Sequence, residues 1–401
     1  MSHVQTSVTI ADVEQVVNRH YHVLIGPVKC CLAVCGSMAL EKRTKPLCVI
    51  LETASGYGKT AVLQMFFPTG PRLQPFIYRS DKFTPKAFVS HASNIQRRDL
   101  PRIDLLPKLK DKTLITKELA PIFRGREEEM RENFGVLVSV LDGKGFTSDT
   151  GAQGKRGYEE AIVFNWLGAT TPVPHKTHKM MSQLGTRLLF YEGGPPLMPT
   201  DDELLEYAEN GNPALAESEC QQVVSAFLGA FFEQHPVGSV SPDAVVIDRE
   251  ALRQIVRWAR FVASARAEIR FEKDESREWE PICALTPEGP YKLIEYFKQL
   301  ARGHALVHGR MEIEQTDLQL VSEVALSSVP GHLRPIVRAL RTQATADSSQ
   351  SMQVCGVSAP TARRYLQQLA LLGLVTVEKG SSQTNQPDTA TLQKEYLWLR
   401  P

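Results

Sequence analysis

The 401-residue sequence lacks an excess of either charge: 46 Lys and Arg stand against 45 Asp and Glu, for a net charge of +1. So balanced a chain has no overall field to gather a polyanion. That excludes coating nucleic acid through bulk charge and leaves only contact through local basic patches. No apolar run approaches the roughly 18 residues that a bilayer-crossing helix needs, so no membrane span is expected. Met1-Ser2-His3 is a polar start rather than a charged segment ahead of an apolar one, so no export signal is expected. Zinc-type cysteine pairs are missing too. The seven cysteines, at 30, 31, 35, 48, 220, 283 and 355, are odd in number and have no such spacing. Cys30, Cys31 and Cys35 fall in the apolar stretch Val28 to Leu40, where free cysteine behaves as a small core residue. The expected setting is a reducing, cytoplasmic one.

What is present is ordinary globular material, with 42% hydrophobic and 23% charged residues and length enough for two or three domains. Residues 1–45 read as two helices, Ala11 to Tyr21 and a second that starts at Pro27. At Leu47-Cys48-Val49-Ile50-Leu51 the pattern becomes a short continuous apolar run, as in a parallel strand buried on both faces. Further strands are predicted at Phe76–Arg79, Thr113–Thr116 and Ile162–Gly168. Helices are predicted between them at Thr84–Ser93 and Arg126–Leu141. The alternation argues for a parallel α/β unit over residues 46–192. Glu192-Gly193-Gly194-Pro195-Pro196 breaks the pattern. Helices then dominate 193–341: Asp201–Asn210, Pro213–Gln234, Asp248–Arg270, Pro290–His308 and Gln315–Ser327, with the polar stretch Phe271–Pro287 as a connector. A helix begins around Pro330–Arg341, and Thr342–Ser351 is small and polar.

The buried run leads straight into Thr53-Ala54-Ser55-Gly56-Tyr57-Gly58-Lys59-Thr60 and then into a helix, which is where a phosphate-cradling loop belongs. Glycines let backbone amides turn toward phosphates, and the helix N-terminus adds its positive dipole end. In this reading Gly56, Tyr57 and Gly58 form the cradle, Lys59 reaches the β- and γ-phosphates of ATP, and Thr60 holds Mg²⁺. Thr53 stands where such loops usually have glycine. The competing reading is a glycine turn ahead of an ordinary helix. The strand Thr113–Thr116 ends at Lys117-Glu118, and Glu118 is the candidate for polarising water. An aspartate would normally precede it, and Asp104 and Asp111 are nearby in sequence as helpers for a metal. The competing reading of Glu118 is a solvated residue at a helix N-terminus, favoured by the dipole.

The order of these parts resembles the AAA+ ATPases, in particular the branch of the minichromosome-maintenance helicases and magnesium chelatases. Over Lys144–Tyr158 the glycine-rich turns read as a β-hairpin, which in that branch lines a central pore. Lys155 and Arg156 at its turn would then meet DNA phosphates, or else form a solvated basic loop. The resemblance implies a sensor-1 role for Thr171 or Thr170. It implies an arginine finger at Arg187, in Leu184-Gly185-Thr186-Arg187, unless that residue is a plain salt-bridge partner. It also implies a helical lid after residue 213, with Lys292 as the cation nearest to the sensor-2 place. It covers residues 40–330, and its specific part is the phosphate loop.

Residues 342–401 predict a winged helix-turn-helix. Ser358 caps and Pro360 opens a helix whose Leu366 and Leu369 face inward, while Thr361, Arg363 and Arg364 face DNA. Wing strands are expected at Leu374–Glu378 and Tyr396–Leu399, around a Gly380-Ser381-Ser382 turn. Such domains also bind proteins. Taken together the sequence predicts an ATP- and Mg²⁺-dependent AAA+ motor acting on DNA, helicase-like and assembled as a homo-oligomeric ring. The alternatives are a regulatory ATPase that loads or remodels a protein partner, and a DNA-binding regulator that merely binds nucleotide.

Overall fold

A computed structural model describes residues 8–90, 96–150, 154–184, 187–192, 200–273, 279–380 and 386–400. The apolar run of the sequence is strand β1 (Cys48–Glu52), buried along its whole length. It is followed in the chain by β2 (Ile77–Arg79), β3 (Thr113–Thr116), β4 (Phe146–Thr150), β5 (Gly154–Tyr158), β6 (Asn165–Thr170) and β7 (Leu188–Tyr191). The strands β2-β3-β6-β1-β7 form, in that spatial order, one parallel five-stranded sheet. The remaining strands are β8 (Ile269–Lys273), β9 (Trp279–Ala284), β10 (Thr345–Asp347), β11 (Val375–Glu378) and β12 (Thr389–Leu392).

Burial on both faces follows from what covers the sheet. Val49, Leu51, Leu167 and Leu189 pack with Val62 and Leu63 of helix Lys59–Met65 and with the helices Ile10–Tyr21, Ile25–Gly36 and Pro213–Gln234. Cys48, Ile50, Trp166 and Phe190 point the other way, against Phe134 and Leu137 of helix Glu127–Val140 and Met180 and Met181 of helix His175–Leu184. Strand residues alternate faces with period two, so an all-apolar strand supplies both layers. Helix Ile25–Gly36 carries Cys30, Cys31 and Cys35 fully buried and crosses helix Tyr291–Val307 at Gly36 and Gly303. A Cβ on Gly303 would lie 2.1 Å from the Ala33 carbonyl oxygen, so only glycine permits that approach. The larger hydrophobic cluster takes residues from all four sequence segments, from Val13 to Leu399.

Several expectations change. The predicted helix Thr84–Ser93 is a single 3-10 turn, Pro85–Ala87, among its described residues; 91–93 lie outside them. The polar stretch after residue 270 is no plain connector but the hairpin β8–β9, with 274–278 outside the described residues. Its strands are mostly solvated, so no buried alternation marked them. Thr342–Ser351 contains β10 and the start of helix Ser348–Cys355. Tyr396–Leu399 is part of a 3-10 helix, Lys394–Leu399, and β12 instead pairs with both β10 and β11. Residues 193–196 of the Glu192–Pro196 break, 151–153 of the hairpin turn and 381–382 of the Gly380 turn lie outside the described residues. Among the described residues no helix is long and apolar enough to cross a membrane.

Candidate functional site

In an open parallel sheet a crevice forms at the carboxyl ends of neighbouring strands whose following helices leave to opposite faces. Here those strands are β1 and β6. Helix Lys59–Met65 joins one core layer and helix His175–Leu184 the other. The segment 53–60 therefore leaves β1 at a point where the sheet's connections diverge to opposite faces.

Locally the loop is held by its own residues. Gly56 and Gly58 have φ of 90° and 76°, a region that L side chains rarely adopt, and Gly58 precedes the helix in that conformation. The Lys59 ammonium folds back over the turn and donates to the carbonyls of Thr53 (2.7 Å) and Ala54 (2.6 Å). Among the described residues the amides of Ala54 to Gly56 and of Gly58 to Ala61 make no hydrogen bond to a protein acceptor. Carbonyls occupied by a cation and amides left over make a concave set of donors suited to an anion. Burial pushes the Lys59 ammonium below the usual lysine range, and the nearby Glu118 charge works in the opposite direction. Tyr57 is half-buried, while Thr60 is exposed at the first turn of the helix.

Glu118 follows β3, two strands from β1, and is exposed; its Oε1 accepts from the Ala120 amide at 2.7 Å. Thr170 ends β6, its carbonyl 3.4 Å from the Thr53 amide, and its hydroxyl donates to the Thr171 carbonyl at 3.0 Å. Thr171 Oγ1 accepts from Arg124 Nη2 at 2.9 Å. The sheet thus brings the loop, Glu118 and both threonines to one edge, with Arg124 as a cation that sequence reading passed over. The place of the missing aspartate is filled by a different pair, Lys117 with Asp81 at 3.2 Å.

Other candidates are not brought there. Asp104 is buried, accepting from the Ser90 amide and the Tyr158 hydroxyl at 2.8 Å each, and so anchors the β4–β5 hairpin rather than a metal. Asp111 sits at the opposite end of β3, 3.2 Å from Arg43. Lys292 and Arg187 share one carboxylate, Asp142, each at 3.1 Å, at the amino-terminal edge of the sheet. That is the edge opposite to the loop 53–60, because helix Tyr291–Val307 lays its first turn beside Asp142. The Arg187 side chain is 10% exposed and bound within its own chain, so in this conformation it does not reach outward.

The expected DNA contacts are likewise engaged. Lys155 pairs with Glu159, and Arg156 is turned inward and buried, donating to the Ser90 carbonyl at 3.3 Å. Adjacent strand residues face opposite ways, so both could not point outward. Arg364 meets Glu280 of β9 at 3.0 Å, and Thr361 Oγ1 lies 3.0 Å from Ser358 Oγ. Arg363 is the most exposed, 3.7 Å from Asp388.

A buried ion pair had no sequence signal beyond one charge in an apolar run. Glu52 closes β1 at 2% exposure, accepting from the Val173 amide and from Arg334 Nη2, both at 2.7 Å. Arg334 also lies 3.4 Å from Glu192, which Arg338 reaches at 3.1 Å. The ends of β1, β6 and β7 are thereby tied to helix Arg334–Gln343, which leads into the C-terminal unit.

Beside this network lie His175, His178 and His332, lining a cavity of about 40 Å³. Burial holds all three below the usual histidine range, His332 at about 4, helped by the neighbouring charges of Lys179, Arg334 and Arg266 and by the other histidines. A histidine with a depressed folded value binds its proton more readily once unfolded, so stability is lost as pH falls from about 6.5 toward 4. Thermal unfolding at pH 7.5 and pH 5 should show a clear fall in melting temperature. His332→Gln should remove part of the drop, on the order of 1–3 kcal/mol. A pH-independent melting point between these values would refute the assignment.

No protein-family model matches this chain, and no curated protein matches it.

Proposed function

We propose that the chain is a P-loop ATPase of the AAA+ kind that acts on DNA, with its nucleotide seated on residues 53–60. The observation that carries this reading is the loop itself. Two positive-φ glycines, a lysine parked on the loop's carbonyls and a run of unpartnered amides lie at the sheet's topological crevice. The donor set fits a triphosphate. Lys59 exchanges the Thr53 and Ala54 carbonyls for phosphate oxygens, and the amides of Gly56 to Thr60 complete the cradle. Thr60, exposed in the first helical turn, is the residue that would hold Mg²⁺, which supplies charge neutralisation between the phosphates. Glu118 accepts a proton from, or orients, the attacking water. Thr170 and Thr171 at the end of β6 position it.

The C-terminal arrangement supports a winged-helix reading. Helices Arg334–Gln343, Ser348–Cys355 and Ala359–Leu371 pack with the antiparallel β10-β12-β11 sheet. Within the proposal the motor and the regulatory ATPase differ in what Arg187, Lys155 and Arg156 do. Their in-chain partners favour the regulatory form, since a finger and a pore hairpin must reach beyond the chain. Ring assembly rests on the family resemblance alone.

The test is ATP turnover with and without single- and double-stranded DNA, on the full chain and on Glu118→Gln. The amide keeps the shape but cannot act on water, so nucleotide binding should survive while turnover falls roughly 10²–10⁴-fold. Turnover that persists in Glu118→Gln would move the catalytic carboxylate elsewhere; absence of ATP binding by the unaltered chain would end the P-loop reading.

A further inference from the structure

A basic, solvent-facing stripe runs along one helix outside the candidate nucleotide site. Along helix Arg249–Ala265, Arg249, Arg253, Arg257 and Arg260 recur four, four and three residues apart and so share one face. The opposite face, with Ile255, Trp258, Ala259 and Val262, is buried. Where this stripe meets the 3-10 helix Lys394–Leu399, a cavity of about 300 Å³ opens, lined by Arg257, Arg260, Lys394, Glu395, Tyr396 and Trp398. That volume is at the lower end of small-ligand sites.

The lining combines two chemistries. Arg260 and Lys394 are exposed, and neither has an acid partner among the described residues. Among the described residues Arg257 has a distant one, Glu250 at 3.9 Å, an acid that also pairs with Arg253. Glu395 is the one acid in the wall. Trp398 is half-buried, held edge-on against Trp258 with centroids 5.0 Å apart at 85°, so its ring is fixed where it borders the cavity. Tyr396 is anchored beneath, its hydroxyl 3.4 Å from Ser264 Oγ.

We propose that this cavity is a binding site for single-stranded nucleic acid, with a base stacked on Trp398 and the flanking phosphates on Arg257, Arg260 and Lys394. Cations that track a backbone beside an aromatic ring are the means by which proteins hold unpaired strands without reading sequence. Charge complementarity selects a polyanion, and the tryptophan selects one that carries a π-face. The inference rests on the DNA part of the proposed function and is independent of where ATP binds.

The experiment uses fluorescently labelled oligo(dT) 20-mers with the full chain, titrated at several salt concentrations. Arg257→Ala/Arg260→Ala/Lys394→Ala should bind at least tenfold more weakly. Its salt slope should be shallower by about 2, since each single-strand phosphate contact contributes about 0.7. These are solvent-facing changes, and an unaltered melting curve confirms that the variant folds. Tryptophan emission should be quenched on binding, and Trp398→Phe should abolish most of that signal. Full binding with an unchanged slope in the triple variant, while the unaltered chain still binds, overturns the site and leaves the DNA reading standing. A chain that hydrolyses ATP but binds no oligonucleotide overturns both. Tighter binding of duplex without quenching, or equal competition by poly-glutamate, also overturns the stacked single strand.

Discussion

Lys59→Ala is expected to abolish measurable ATP turnover, a loss of roughly 10²–10³-fold or more, and to weaken nucleotide binding without unfolding the protein. Removing a preorganised charged donor from a developing oxyanion costs about that factor. Stability should barely change. The ammonium is half-buried over two loop carbonyls that water can reach once it is gone, and changes of this kind stay within about 1 kcal/mol. The check is a turnover assay paired with a melting curve and with binding of a fluorescent ATP analogue. A folded Lys59→Ala protein with full turnover would sink the phosphate-loop assignment. A variant that melts early would show instead that the lysine holds the loop's shape.

The second large effect concerns stability. Glu52 and Arg334 form a buried pair at 2.7 Å, and each also serves backbone: Glu52 the Val173 amide, Arg334 the Val329 carbonyl at 3.1 Å. Breaking such a pair from one side leaves an unpaired charge in a low-dielectric interior and costs about 3–5 kcal/mol. Arg334→Ala or Glu52→Ala should therefore lower the denaturation midpoint by far more than Arg363→Ala, whose side chain is 55% exposed. The double variant Glu52→Ala/Arg334→Ala should be less damaged than the sum of the two, because neither charge is then stranded. Strict additivity would mean that the two residues act separately. Glu52 directly precedes the loop and Arg334 opens the C-terminal unit, so the surviving single variants also bear on coupling. If the pair transmits nucleotide state, their ATP affinity should shift along with their stability.

Much of this architecture was legible because the physics was local. The run Leu47–Leu51 has no polar break, so only a strand covered on both sides could hold it, and β1 occupies Cys48–Glu52. Helices Pro213–Gln234 and Gln315–Ser327 begin and end where their apolar periodicity does. The loop's glycines, lysine and threonine stood at spacing that itself dictates backbone shape. Legibility failed where the deciding interaction was distant. The β8–β9 hairpin is solvated at most positions and is recognised only by its pairing. Lys292 and Arg187 carried the right charge for the roles expected of them, but Asp142 took both. Arg156 differs from Lys155 by one strand position, and that single step turns it inward.

By itself, then, the sequence determined the elements whose apolar period is unambiguous and the glycine turn of residues 53–60 that follows β1. Tertiary structure decided which charges remain available. It buried Glu52 with Arg334, 282 positions away, tied the expected DNA-facing cations to in-chain acids and carbonyls, and left the arginine stripe of helix Arg249–Ala265 open to solvent. The physical reason is that hydrophobic periodicity acts over one or two turns. A side chain's ionic partner depends instead on which distant segments the sheet order places beside it.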